Sequence, residues 1–232
     1  MTLSEQVTIC ITMGLRPKNL RRTLQSLGPE LLDLPIISIN DFGDAPTNAV
    51  FDSLCSDGVR IDLGQQVGHH RAVDAMYQHV TTPYVLHLED DWVFSRSDFL
   101  PDAIKLLRAN ASIGTVCVLK LSDFDLTKEK LAKIPFDQSD SIRFARLDTP
   151  DDKCHEFTFN PHIAPLTLWQ DLGGYGNFKR ESYLSRKLLS EGRFAAYLDP
   201  GACHHIGRRS VSYPKQAKAF QRALGWFRRG PK

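Results

Sequence analysis

The sequence predicts an α/β fold: a mainly parallel sheet flanked by helices, a less regular C-terminal half and a basic C-terminal helix. Three observations carry this. Short β-branched runs alternate with helical repeats of about ten residues through the first half, the pattern of βαβ units. Asp41, Gly68 and the acidic run Glu89-Asp90-Asp91 each follow a predicted strand. Open α/β sheets gather ligands at such carboxyl ends, so these residues are expected to share one cleft. The charge balance also changes after Pro200, with eight Lys or Arg residues and no acid.

Val7 to Thr12 is β-branched and alternating, hence a first strand. Gly14-Leu15-Arg16-Pro17 breaks it, and Pro17 is suited to open a helix. Leu20, Leu24 and Leu27 give that helix its apolar face, with Gly28-Pro29 as the stop. Pro35 to Ile39 forms a second strand, residues 46–55 a helix and Val59 to Leu63 a third strand. A turn over Gly64 to Gly68 precedes a helix from about His69 to His79. Tyr84 to Leu88 is a buried strand entered at Pro83 and running into the acids. Beyond it the sequence predicts a helix over Asp98 to Asn110 and a strand over Thr115 to Leu119. Residues 120–140 read as a loop or flap. Strands are expected at Ile142 to Leu147 and Glu156 to Phe159, a short helix at Ala164 to Leu172, a helix through Tyr183 to Leu189 and a last strand at Phe194 to Leu198.

With 232 residues, the chain suits a single domain over residues 1–207, halved near residue 119, followed by the tail 208–232. Hydrophobic residues at 42% and charged residues at 24% exclude a disordered chain. The sequence shows no apolar run of membrane-spanning length and no signal-peptide pattern, so a cytoplasmic location is expected. Cys10, Cys55, Cys117, Cys154 and Cys203 are scattered and contain no CxxC pair, which argues for reduced thiols and against a zinc cluster.

The acidic triplet carries the chemistry. Three neighbouring carboxylates repel one another and require a cation, hydrogen-bond donors or bulk water. Hard divalent ions such as Mg²⁺ or Mn²⁺ take oxygen ligands and are commonly shared with a substrate's phosphates. An acidic, solvated turn is the alternative.

Several patterns then fall in one order: Arg16-Pro17-x-x-Leu20 after a strand, Asn40-Asp41 at a strand end, a Gly-rich turn with Arg71, and the acidic triplet. Glu181 on a Leu-rich helix and His205-Ile206-Gly207 near the end complete it. Over roughly residues 6–207 the chain resembles the GT-A glycosyltransferases of the family 2-like group. That resemblance implies a metal-dependent, inverting transfer of a sugar from a nucleotide-sugar, with a UDP-sugar favoured, to an acceptor hydroxyl. It makes residues 1–119 the nucleotide-sugar-binding half and 120–207 the acceptor side. Asp41 would contact the nucleobase. Glu89-Asp90-Asp91 corresponds to the family's D-x-D motif, with Glu in its first position. Asp91 would then be a direct ligand of Mn²⁺ or Mg²⁺, and Glu89 would face ribose or metal-bound water. His205, or the adjacent His204, would be a second ligand, and Glu181 the base that deprotonates the acceptor. Capping of its helix is the other role open to Glu181.

Arg71 and Arg16 are candidates for the diphosphate, because a guanidinium forks onto phosphate oxygens. Trp92 and Trp169 could stack on a sugar or base or simply pack. Phe157, Phe159, Asn160 and Pro161 precede the expected acceptor wall, with Asn160 a candidate for sugar hydroxyls. In the tail, Arg208, Arg209, Lys215, Lys218, Arg222, Arg228, Arg229 and Lys232 are interleaved with Tyr213, Phe220, Trp226 and Phe227. This pattern suits contact with an anionic membrane surface or with nucleic acid. It also suits a helix packed on the domain with a solvated basic face. The acceptor is accordingly a glycan, a lipid-linked saccharide or a modified nucleic-acid base. Two other function classes fit parts of the sequence: a nucleotidyltransferase, and a non-catalytic nucleic-acid or membrane-surface binding protein working through the tail.

Overall fold

The computed structural model describes residues 1–124, 127–147 and 157–207. The basic tail, Cys154 and Glu156 lie outside the described residues. A helical turn α1 (Leu3–Gln6) leads into β1 (Val7–Met13), every residue of which is buried. Leu15, in the following loop, has a positive φ of 59°. Pro17, whose ring presets φ, opens α2 (Pro17–Ser26). Gly28 takes a φ of 72° but does not end the helical region. Instead α3 (Gly28–Leu32) follows, with a proline in its first turn, and buries Leu31. The chain continues through β2 (Ile36–Asn40), α4 (Ala45–Leu54), β3 (Val59–Ile61), α5 (His69–Tyr77) and β4 (Tyr84–Glu89). The second half comprises β5 (Trp92–Phe94), α6 (Leu100–Ala109), β6 (Ile113–Cys117), α7 (Lys128–Leu131), β7 (Phe136–Ser139) and β8 (Ile142–Arg146). It closes with β9 (His162–Pro165), α8 (Leu166–Asp171), α9 (Glu181–Ser190), β10 (Phe194–Asp199) and β11 (Cys203–His205).

Nine strands form one sheet in the order β3-β2-β1-β4-β9-β6-β10-β8-β7. β1 to β4 are parallel neighbours, as are β6 and β10, while β9 and β8 run against the strands beside them. Strand alternation divides the core between the two faces. Val7, Ile9, Ile11, Leu86 and Leu88 meet α2, α3, α4 and α6 on one side. Cys10, Ile37, Ile39 and Val85 meet α5, α8 and α9 on the other. No helix among the described residues is long and apolar enough to cross a membrane.

Three expectations require correction. Residues 120–140 are not a bare loop: they hold a 3₁₀ turn (Leu121–Asp123), α7 and β7. β7 is a sheet edge whose residues Phe136, Asp137 and Gln138 are exposed, so it has no inward apolar alternation to read. The helix expected from Ala164 starts only at Leu166, because His162 to Pro165 form β9, buried between β4 and β6. A strand buried on both faces shows no period of two. Phe157 to Phe159 form no strand; they pack as core aromatics, Phe157 and Phe159 being 2% and 1% exposed.

β9 joins the two parallel halves, and Ile163 sits at its centre opposite Leu86 and Val116 with no exposure. Ile163→Ala removes buried carbon from a strand paired on both sides. It is expected to cost about 2–5 kcal/mol, read as a lower midpoint in urea unfolding.

Candidate active site

The parallel strands β1, β2 and β4 end at one cleft, where the strand order reverses and crossovers leave in opposite directions. A cavity of about 230 Å³ opens there, lined among others by Gly14, Arg16, Asp41, Phe42, His69 and Glu89. At the β2 end Asn40 folds the turn: its Oδ1 accepts the N–H groups of Phe42 and Gly43, both at 3.1 Å. Asp41 then projects across to the start of α5. Its carboxylate accepts N–H bonds from Val67 at 2.7 Å and Gly68 at 2.9 Å, fixing the loop that precedes that helix. Gly68 has a φ of 92°. Gly14 is required by space, since a Cβ there would lie 2.3 Å from Phe42 Cδ2.

Glu89, Asp90 and Asp91 leave the end of β4. Asp90 has no exposure and Asp91 3%. Asp90 accepts the Gly14 N–H at 2.9 Å and lies 2.6 Å from Arg16 Nη2. The other prong of the guanidinium, Nη1, donates to Asp91 Oδ2. Desolvation raises Asp90 to about 7 despite the opposing pull of Arg16. Glu89 is raised to about 8, chiefly by desolvation and then by the charges of Asp91 and Glu181.

β11 brings His205 to the same place. It pairs antiparallel with β5, setting His205 opposite Trp92, and His205 Nε2 lies 3.0 Å from Asp91 Oδ2. His204 stands opposite Val93, and strand alternation turns it to the other face, so His205 is the histidine brought to Asp91. Gly207 closes the cradle: a Cβ there would lie 2.0 Å from Asp91 Oδ2 and 2.8 Å from His205 Nε2. Asp91 Oδ1 is buried without a hydrogen bond. A carboxylate with a free oxygen beside an imidazole nitrogen is a fitting donor pair for a divalent cation. Among the described residues no cluster of three or more such side chains could hold a metal. A cation held by Asp91 and His205 would take its remaining coordination positions from a ligand.

A second cavity, of about 400 Å³, adjoins the first, and Gly68, His69 and Glu89 line both. Its walls include Arg71, Lys179, Arg180 and Glu181. Glu181 is the first residue of α9, and its Oε1 accepts the Phe159 N–H at 3.3 Å. The side chain opens to solvent through the cavity, yet crowding by the walls desolvates it and raises its carboxyl above the ordinary range. The structure thus gathers Arg16, Asp41, Arg71, Glu89, Asp90, Asp91, Glu181 and His205 about two joined cavities.

The model of the family described as glycosyl transferase family 2 matches residues 8–164. The chain belongs to that family. No curated protein sequence matches it. Among solved structures, a mannosyltransferase from Pyrobaculum calidifontis, in complex with GDP-Man and Mn²⁺, superposes with a TM-score of 0.66 at 16% identity. That match covers 97% of this chain and 65% of the other. S. aureus TarS residues 1–349 in complex with UDP-GlcNAc gives 0.64 at 10% identity, covering 89% of this chain and 60% of that one. The family 2 chain therefore spans less than two thirds of these neighbours, and the likeness shows a shared GT-A fold.

Not every sequence candidate reaches the family 2 site. Trp92, 3% exposed, packs beside the His205 ring at 4.8 Å, and neither it nor Trp169 lines either of these two cavities. Asn160 lines neither; its backbone carbonyl accepts from His162. Two residues that the sequence did not reveal matter more. His69 sits between the cavities with its ring 4.6 Å from Phe159, and burial lowers it to about 4, leaving it neutral near pH 7. Asp74, on the next turn of α5, accepts N–H bonds from Tyr175 at 2.6 Å, Gly176 at 2.7 Å and Trp169 Nε1 at 2.8 Å. It thereby ties the loop before Glu181 to α5. Gly176 permits this approach, since a Cβ there would lie 2.7 Å from Asp74 Oδ2. The sequence signal was Gly173-Gly174-Tyr175-Gly176, whose glycines required a partner still unknown.

Asp74→Ala would strand two backbone donors and an indole N–H. It is expected to lower stability on the order of 2 kcal/mol in chemical denaturation.

Proposed function

We propose that this family 2 protein is a divalent-cation-dependent, inverting glycosyltransferase that moves a sugar from a nucleoside-diphosphate sugar to an acceptor hydroxyl. The observation that carries this reading is the meeting of the two cavities at His69 and Glu89. One cavity is lined by Asp41, Arg16 and Asp90, the neighbour of the Asp91–His205 pair, and the other by Glu181. A donor bridging them would present its sugar to the carboxylate across the junction.

Asp41 suits a base with an imino N–H, which uracil, thymine and guanine carry and cytosine lacks, and the GDP-Man and UDP-GlcNAc complexes of the structural neighbours favour a UDP-sugar or GDP-sugar donor. Asp91 and His205 would hold Mn²⁺ or Mg²⁺, which would neutralise charge gathering on the diphosphate. Glu181 takes the proton of the acceptor hydroxyl as that oxygen bonds to the anomeric carbon. The bond to the diphosphate breaks on the opposite side, and its electron pair leaves with the diphosphate. Attack opposite the leaving group inverts the anomeric centre. A base must be deprotonated and matched to the working pH, and a carboxyl raised by desolvation meets that need. Arg71, Lys179 and Arg180 border the acceptor side, and none makes an ion pair with a described residue. They favour an acceptor bearing phosphate, as lipid-linked saccharides and nucleic acids do.

The first test is a thermal-shift panel of UDP-, GDP-, CMP- and dTDP-sugars with Mn²⁺, Mg²⁺ or EDTA. A ligand at 100 times its dissociation constant should stabilise by about 2.7 kcal/mol. A shift that requires metal, with one nucleotide, and that is lost in Asp91→Ala supports the donor site; no shift with any of them overturns it. Glu181→Gln should retain the donor shift while lowering kcat by about 10²–10⁴-fold. Since protonation disables the base, wild-type kcat/KM should fall as pH drops through the raised Glu181 value, and Glu181→Gln should lose that acidic limb. Equal activity of the two proteins would exclude Glu181 as the base.

A further inference from the structure

Arg16 occupies the place where a divalent cation would act. Asp90 and Asp91 are adjacent and almost fully buried, so as a charged pair they need a positive partner. Arg16 supplies it, with one guanidinium prong on each carboxylate. Asp91 Oδ2, however, is also the atom that faces His205 Nε2 at 3.0 Å. That oxygen therefore already meets two nitrogen partners, and the imidazole nitrogen, whose lone pair a metal needs, points at it. Gly207 leaves no room for a side chain at the same oxygen, so a cation held jointly by Oδ2 and His205 Nε2 must displace the Arg16 prong. The Arg16 side chain is 19% exposed and borders the first cavity together with Asp41. A diphosphate in that cavity offers the guanidinium paired oxygens in exchange for the carboxylates. Asp91 and His205 also provide only two donors, so a metal gains its further ligands when the diphosphate arrives.

Resting on the donor-site reading above, we propose that Arg16 is a placeholder cation. It holds Asp91 in the nucleotide-free protein and transfers to the diphosphate when the donor binds. Metal binding is thereby suppressed until nucleotide is present. The consequence is positive coupling between nucleoside diphosphate and divalent ion. Linkage makes it reciprocal, so each ligand raises affinity for the other by one factor.

The test is a Mn²⁺ titration of the full chain followed by electron paramagnetic resonance of the free aquo-ion, without nucleotide and with saturating UDP or GDP. Wild type should bind Mn²⁺ at least about 5-fold more tightly with nucleotide. Arg16→Gln should tighten nucleotide-free Mn²⁺ binding by at least about 5-fold and shrink the coupling factor to match. Arg16→Lys keeps the charge but cannot fork across two carboxylates; a gain of about 2-fold is expected, and it decides the matter if Arg16→Gln fails to fold. Unchanged or weaker nucleotide-free binding in the folded variants overturns the placeholder role and leaves the donor site standing. A wild type that takes up no Mn²⁺ with either nucleotide overturns both.

Discussion

Two carboxylates side by side at the end of an interior strand cannot both stay ionised away from water without positive charge or donors directed at them. Asp90 and Asp91 pose that problem, and much of the surrounding structure answers it. β1 ends at Met13, and the N–H of the next residue, Gly14, reaches Asp90. α2 begins one residue after Arg16, which places the guanidinium across both acids. β5 follows the acids directly and pairs with β11, so the last described strand delivers His205 onto Asp91. The Ile206 N–H donates to the Asp91 backbone carbonyl at 2.8 Å, and Gly207 lets the chain pass. Residues distant in sequence converge because the same few atoms must be satisfied.

Much of this was legible beforehand, for a physical reason. β1, β2 and β4 lie inside the sheet, so their apolar runs announced them, and ligand-bearing residues in such sheets follow strand ends. Asp41, Glu89 and Asp91 stand out that way, with a family resemblance supplying their roles and pointing to Glu181 at the start of a Leu-rich helix. The choice between His204 and His205 was not legible, because it depends on the register of β11 against a three-residue β5 that no periodicity revealed. β7 escaped for the opposite reason, being exposed at the sheet edge. Asp74 was invisible because its partners are backbone N–H groups about a hundred residues away, which carry no side-chain signature.

The two cavities are held by different means, which bears on how each would accept a ligand. The first is framed by strand ends and short backbone bonds, through Asn40, Asp41 and Gly14, and so is largely preformed. The second depends on the Gly173–Lys179 loop, pinned to α5 through Asp74 and through His70, whose Nδ1 lies 2.5 Å from the Phe178 carbonyl. Helix α5 serves both: its first residue, His69, divides the cavities, and Asp74 anchors the loop leading to Glu181. A displacement of α5 would therefore alter both cavities together.

Glu89 fits this arrangement better than an aspartate would. It ends β4, lines both cavities and is flanked by the charges of Asp91 and Glu181, which together with burial hold its carboxyl near 8. Burial and those charges favour its protonated form, and a protonated carboxyl donates a hydrogen bond where a carboxylate only accepts. The additional methylene carries that donor from the strand end towards the junction of the cavities. A hydroxyl lying there would meet that carboxyl, whereas a cation at Asp91 would offset the charge beside it and favour its ionised form. The first position of the acidic triplet thus differs from the other two in place as well as length: Asp90 and Asp91 share the Arg16 guanidinium, and Glu89 faces the junction of the two cavities.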